Sequence, residues 1–179
     1  LDVRISASMQ MVDYETEGVD LGIRFGRGGY SGVASELLLT DTAFPVCSPR
    51  LCDGEHPLLM PDDLRHHVLL HDESWQSNYE SFPTWGMWIQ GAGVEGVDAT
   101  RGTRFNMTSD VINAAIEGAG VALGRSTMVE GDLAAGRLVK PFGLRVPVEF
   151  AFYVVYRRNA LDLPKVAAFR NWLFEEASA

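Results

Sequence analysis

Apolar and polar positions along this chain switch between a period of two and a period of three to four, and the switches mark out strands and helices. Val3 and Ile5 alternate with Arg4 and Ser6, which predicts a half-buried strand. Ser6-Ala7-Ser8 then turns into a helix-like stretch that runs to Glu17 and stops at Gly18. Residues 19–25 predict the next strand, closed by Gly26-Arg27-Gly28-Gly29. Strand, helix and strand in this order predict a β-α-β unit with parallel strands.

Residues 36–47 form a long apolar segment that breaks near residues 40–42, and Pro45 marks a crossing where a hinge is expected. Pro61-Asp62-Asp63-Leu64 opens a short helix, because proline and early acids both suit a first turn. Val68-Leu69-Leu70 predicts a buried strand. Residues 84–90 predict a helix that places Trp85 and Trp88 on one face, where packing is the simplest role.

Residues 103–107 predict a strand running into Thr108-Ser109-Asp110, which can cap a helix over 111–117. Val111, Ile112, Ala115 and Ile116 share one apolar face, and Gly118 and Gly120 end that helix. Val121-Ala122-Leu123 follows as a strand, giving a second β-α-β unit. Thr127 and Glu130 offer a capping box for a helix ending at Gly136. Residues 148–157 alternate as a long strand that makes the return crossing. The last helix starts at Pro164, with Val166, Phe169, Trp172 and Leu173 on one face. The expected organisation is α/β with two lobes: residues 1–45 and 151–179 form lobe I, residues 46–150 form lobe II, and a ligand sits in the crevice between them.

Charge narrows the partners. Twenty-four acidic against fifteen basic residues give a net charge of −9 over 179 residues. Phosphate neutralisation needs clustered Lys and Arg, and the densest basic cluster is a pair such as Arg157-Arg158, so the chain itself is not expected to touch DNA. No apolar run approaches the roughly 18 residues of a membrane span. Two cysteines, Cys47 and Cys52, make neither a disulfide framework nor a four-ligand zinc site, and free thiols are expected.

Candidate chemistry is thin where catalysis would need it. His66, His67 and His71 with Asp72 could supply metal ligands, but a strand between His67 and His71 separates them, so packed or solvated roles are expected and no metal or cofactor is assigned. No serine sits in a G-x-S-x-G frame, since Gly124-Arg125-Ser126 lacks the closing glycine. Cys47-Ser48-Pro49 reads as a strand end. Gly26-Arg27-Gly28-Gly29 matches no phosphate-binding loop and reads as a flexible turn. Thr108-Ser109-Asp110 carries two readings, a plain N-cap and an anion site built on unpaired backbone N–H groups. Ser6-Ala7-Ser8 carries the same pair. Both follow a predicted parallel strand, and the carboxyl ends of parallel strands face ligand crevices.

Taken together, four stretches are similar to a known family: Val3-Arg4-Ile5-Ser6-Ala7-Ser8, residues 19–26, Phe44-Pro45-Val46-Cys47-Ser48-Pro49 and residues 114–123. They resemble the effector-binding domain of LysR-type transcriptional regulators, in the branch that holds the glycine-cleavage and β-lactamase regulators. Residues 132–139 and 169–173 extend the likeness over essentially the whole chain. The resemblance implies a type II periplasmic-binding-protein-like fold, N-terminally truncated: it starts after the family's winged helix-turn-helix and after the first strand and helix of the effector domain. It also implies a pocket at Ser6 and Ser8, at Arg24 and Gly26, at Thr108 and Ser109, and at Tyr153. Arg24 could receive a carboxylate through its fork of donors or pair with Asp20 or Glu36.

The function expected from this resemblance is cytoplasmic sensing of a small, anionic metabolite, without catalysis. Its partners would be the effector and further copies in a dimer or tetramer, with DNA contacted only through the N-terminal domain. A periplasmic solute-binding protein of the same fold is the alternative, and a metal-dependent hydrolase using the histidines is a third reading.

Overall fold

Two long strands, β2 (Ala34–Val46) and β6 (Val146–Tyr156), each carry the chain from one compact unit to another in the computed structural model. Unit 1 is Leu1–Thr40 with Phe150–Ala179, and unit 2 is Asp41–Glu149. The structure describes residues 2–8, 10, 12–74 and 82–178. The break expected near residues 40–42 does not form, and β2 runs for 13 residues. Thr40 and Thr42 are β-branched and suit a strand, and Pro45 is fully buried in register with Leu123.

In unit 1 the strand order is β1–β6–β2, where β1 is Gly22–Gly26. β1 pairs antiparallel with β6, matching Arg24 to Tyr153. The parallel β-α-β unit expected at the start of the chain is therefore corrected. Residues 2–8 form neither strand nor helix, and residues 14–16 are only a turn. Met9 and Met11 lie outside the described residues. Alternation alone does not make a strand, because a strand needs a hydrogen-bonded neighbour and a face to bury. Val3 and Ile5 are 54% and 89% exposed.

The last helix, α4 (Pro164–Ala177), begins at Pro164 as expected. Its inward face differs from expectation. Val166 is buried and Leu173 and Phe174 pack beside it against Val154 and Tyr156, whereas Trp172 is half exposed and stacks on Phe169. Positions 166, 173 and 174 are spaced i, i+7 and i+8, one stripe of a helix, and 169 and 172 fall beside that stripe.

Unit 2 follows its predicted pattern closely. The end of β2 pairs antiparallel with β5 (Val121–Arg125). β3 (Leu69–Asp72) lies parallel to β5 on one side and to β4 (Thr103–Phe105) on the other. The helices are α1 (Trp85–Ala92), α2 (Thr108–Ile116) and α3 (Ser126–Ala134), with a 3-10 turn over Pro61–His66. Val111, Ile112 and Ala115 of α2 pack against Phe44, Val46, Leu70 and Ala122, the apolar face read from the sequence. Gly118, with φ of +81°, ends that helix in the left-handed region a side chain would resist. A second cluster gathers Trp85 and Trp88 with Leu58, Leu64, Leu69 and Val121. Both indole N–H groups are satisfied, Trp85 donating to the Leu70 carbonyl (3.0 Å) and Trp88 to that of Leu144 (3.2 Å).

Candidate functional site

Parallel pairing fixes where the polar groups of unit 2 go. Asp72 ends β3 in register with Phe105 at the end of β4, and Arg125 ends β5. Both α2 and α3 start within three residues of a strand end. Thr108 therefore arrives beside Asp72, and its hydroxyl donates to Asp72 Oδ2 at 2.7 Å. The Ser74 backbone N–H and hydroxyl donate to Asp72 Oδ1 at 2.9 and 2.5 Å, and the two hydroxyl oxygens lie 3.2 Å apart.

This arrangement corrects the capping expectation. Met107 is the N-cap of α2 and makes no side-chain cap bond, while Thr108 is the first helical residue and spends its proton on Asp72. A carboxylate already stands beside the helix start, where the macrodipole favours negative charge. Ser109 is exposed on the same first turn.

A second carboxylate organises the next strand end. Asp41 is 4% exposed and accepts from the hydroxyls of Ser126 (2.6 Å) and Thr127 (2.8 Å), and from the backbone N–H groups of Thr42 (3.0 Å) and Thr127 (3.2 Å). The capping box expected between Thr127 and Glu130 gives way to this cross-strand carboxylate, and α3 has no side-chain cap of its own. Arg125, 6% exposed, lies 3.6 Å from Asp41, a charge contact longer than a hydrogen bond. Burial pulls the guanidinium below its ordinary pKa, while Asp41 and then Asp72 push the other way. It stays charged.

In unit 1, adjacent strands bring Arg24, Gly26 and Tyr153 together. Arg24 lies over the Tyr30 ring at 5.0 Å, and Tyr30 meets Tyr153 edge to face at 6.2 Å. The Tyr153 hydroxyl donates to the Arg27 carbonyl at 3.4 Å. Gly28 holds φ at +76°, and a Cβ there would lie 2.7 Å from the Tyr153 ring, so glycine is what lets the loop close over it. The two acids considered for Arg24 are engaged elsewhere: Asp20 with Lys165 and Glu36 with Arg170. Ser6 and Ser8 lie on the exposed segment, where Ser8 Oγ accepts from the Gln10 N–H at 3.1 Å.

The groups considered for catalysis are spread apart. His67 Nε2 meets the His56 carbonyl and His71 Nε2 the Arg101 carbonyl, while His66 stacks on His56. Among the described residues no three His, Cys, Asp or Glu side chains gather as a metal site. Cys47 is buried and its thiol is pushed up to about 12, by burial first and then by Cys52. It is protonated at neutral pH, the wrong form for a nucleophile. Both cysteines are free.

Asp41, Ser74 and Arg125 are not among the site residues the sequence singles out, and Asp72 figures there only as a possible metal ligand. The rule that singled out Thr108, polar groups just past parallel strand ends, applies equally to Asp72-Glu73-Ser74 and to Arg125-Ser126-Thr127.

Two α/β units joined by two crossing strands, with polar side chains collected at strand ends, define a two-unit binding domain. The chain belongs to the LysR substrate binding domain family, which it matches over residues 1–178. It is 38% identical over 179 residues to the glycine cleavage system transcriptional activator of Escherichia coli K12, covering all of this chain and 56% of that protein. It is 34% identical to the transcriptional activator AmpR of Rhodobacter capsulatus, covering 97% of this chain and 56% of that protein. The chain thus spans little more than half the length of these curated relatives. The effector domain of AmpR from Pseudomonas aeruginosa superposes with a TM-score of 0.75 at 29% identity, over 99% of this chain and 81% of that one. The AmpR effector binding domain from Citrobacter freundii gives 0.75 at 25%, over 99% and 84%. These likenesses support the regulator reading over a periplasmic solute-binding protein. Among the described residues no helix is long and apolar enough to cross a membrane.

Proposed function

We propose that this domain senses a small metabolite for a longer cytoplasmic transcriptional regulator, and that it performs no chemistry on that metabolite. The observation that carries the reading is the Asp72, Ser74 and Thr108 cluster, fixed at the carboxyl ends of parallel strands, where α/β proteins present groups to ligands. Arg24 and Tyr153 in unit 1 and Thr108 and Ser109 in unit 2 are the contacts assigned to the effector, with Gly26 two residues beyond Arg24 on β1, and Ser6 and Ser8 assigned from the family resemblance.

The chemistry of the two sets differs, and it refines the expectation of an anion. The Thr108 hydroxyl already donates its hydrogen bond to Asp72, so this corner of unit 2 offers acceptors and suits a donor on the effector. Arg24 has no acid of its own among Asp20 and Glu36, and its fork receives the effector's carboxylate. Effector binding changes transcription only if one arrangement of the whole protein binds it better than another. Self-association as a dimer or tetramer and DNA contact belong to that longer protein.

The test is a thermal-shift and calorimetric screen of small amino and hydroxy carboxylates, repeated with Arg24→Gln and Thr108→Val. A binder of the folded state raises its melting temperature. The effector should lose at least tenfold in affinity in each variant and should alter transcription by the longer regulator. Ligands that bind but leave transcription unchanged would sink the reading.

A further inference from the structure

Unit 1 also holds a cavity of about 680 Å³, a size that suits a small molecule. Arg157, Arg158 and Asn159 line it where the chain leaves β6, and Ser31 adds a hydroxyl. The Ala160 N–H donates to the Arg157 carbonyl at 2.8 Å and fixes the turn that presents the two arginines. Asp13 and Glu15 complete the charged lining. Their turn is tightly held: the Glu17 N–H donates to the Asp13 carbonyl (3.0 Å), the Glu15 N–H to Asp13 Oδ1 (2.9 Å) and the Thr16 hydroxyl to Asp13 Oδ2 (2.7 Å). The Thr16 hydroxyl and then the Glu15 N–H hold the Asp13 carboxyl below the usual range, so it is ionised but occupied within its own turn.

Arg157 Nε is closed off from solvent and makes no hydrogen bond among the described residues, so it does not face the cavity, and the arginines meet a ligand through the ends of their guanidinium groups. We propose that the cavity is a binding site for a small zwitterionic carboxylate of the amino-acid class. Adjacent guanidinium forks match the planar geometry of a carboxylate, and Ser31 and Asn159 add hydrogen-bonding groups to the same lining. Charge selects the class: two arginines stand against Asp13 and Glu15, so the lining is formally neutral. A polyanion would face two carboxylates, whereas a zwitterion keeps the balance and directs its ammonium to Glu15. None of these residues is among those assigned to the regulatory effector.

Calorimetric titration with L-alanine, lactate and inorganic phosphate tests this directly. Lactate keeps the alanine skeleton and carries a hydroxyl where alanine has its ammonium. Saturable alanine binding is expected, at least tenfold weaker in Arg158→Gln and reduced to the lactate level in Glu15→Gln. Arg158 and Glu15 are exposed, so both variants should fold, and circular dichroism checks that they do. Ser31→Ala should weaken binding about threefold. Arg24→Gln and Thr108→Val should leave this binding in place, which separates the site from the effector site. No saturable alanine binding, tighter binding of phosphate than of alanine, or binding lost in Thr108→Val and untouched in Arg158→Gln would each overturn the proposal.

Discussion

The two candidate contact surfaces are built on opposite principles. In unit 2 the side chains come from three strand ends and are tied together before any ligand arrives: Asp72 accepts three hydrogen bonds, and buried Asp41 accepts four. In unit 1 the side chains come from neighbouring antiparallel strands and the loop after β1, and they are held by ring contacts and by glycines that make room for rings. Hydrogen bonding fixes directions to within tens of degrees, while ring contacts fix only rough distances. The first surface is therefore rigid and costly to disturb. The second tolerates polar substitution but depends on shape.

That contrast breaks most visibly at Asp41. Asp41→Ala removes four hydrogen bonds and the buried charge contact with Arg125, a change that costs about 3–5 kcal/mol in comparable buried pairs. Urea denaturation followed by circular dichroism should show a lower midpoint. A change under about 1 kcal/mol would mean that the cluster is not the rigid element described. The counterpart in unit 1 is Gly28→Ala. A side chain at φ +76° is strained by roughly 1–2 kcal/mol, and it would also press on the Tyr153 ring. This variant should lose stability and effector affinity together, whereas Tyr153→Phe should cost less than about 0.5 kcal/mol, because its 3.4 Å hydrogen bond is long.

Thr108→Val sharpens the comparison further. It keeps the shape and removes the donor to Asp72, costing about 1 kcal/mol. Thr108→Ser should restore most of the loss, which a purely steric role would not allow. In unit 1 the matching change, Arg24→Gln, should leave the denaturation midpoint within about 0.5 kcal/mol of the parent, since Arg24 contacts a ring and not an acid.

These differences also account for what could be read from the sequence. Unit 2 was legible because β3 and β5 are largely buried and α2 carries a clean apolar stripe at Val111, Ile112 and Ala115. Local pattern and tertiary packing agree there. Thr108 was found by position, at a predicted strand-to-helix junction, but its role was misread because the partner, Asp72, lies 36 residues away in sequence. Asp41 escaped for the same reason, its hydroxyl partners being 85 and 86 residues distant. In unit 1, Val3 and Ile5 alternate like a strand, yet nothing local records whether a neighbour pairs with them. Arg24 and Tyr153 sit opposite each other only through antiparallel register, which the alternation of β6 could not reveal on its own.

The smallest expected effect is a dependence on pH that belongs to unit 1. Glu36 accepts from Arg170 Nε at 3.0 Å and also takes bonds from Arg170 Nη2 and the Tyr156 hydroxyl. The Arg170 bond first, with Tyr156 helping, holds the Glu36 carboxyl below its ordinary value of 4.5. A folded pKa below the unfolded one gives stability that is fully present above about pH 4.5 and is lost as pH falls through the folded pKa. The Tyr156 hydroxyl is shifted upward, by burial first and then by Glu36, so its contribution is full below pH 10 and fades as pH rises past that value. One network thus erodes from both ends of the scale. Partial exposure, 32% for the Glu36 side chain and 25% for that of Arg170, keeps the effect modest through solvent screening. Denaturation midpoints at pH 6 should place the parent above Glu36→Gln, and the gap should narrow by pH 3, because below its ordinary value of 4.5 the unfolded carboxylate takes up a proton that the folded one resists. If the gap were the same at both values, hydrogen-bond shape rather than charge would hold β2 and α4 to β6. Unit 1 would then be held there by neutral hydrogen bonds and packing, a sharper contrast with the charge-built cluster of unit 2.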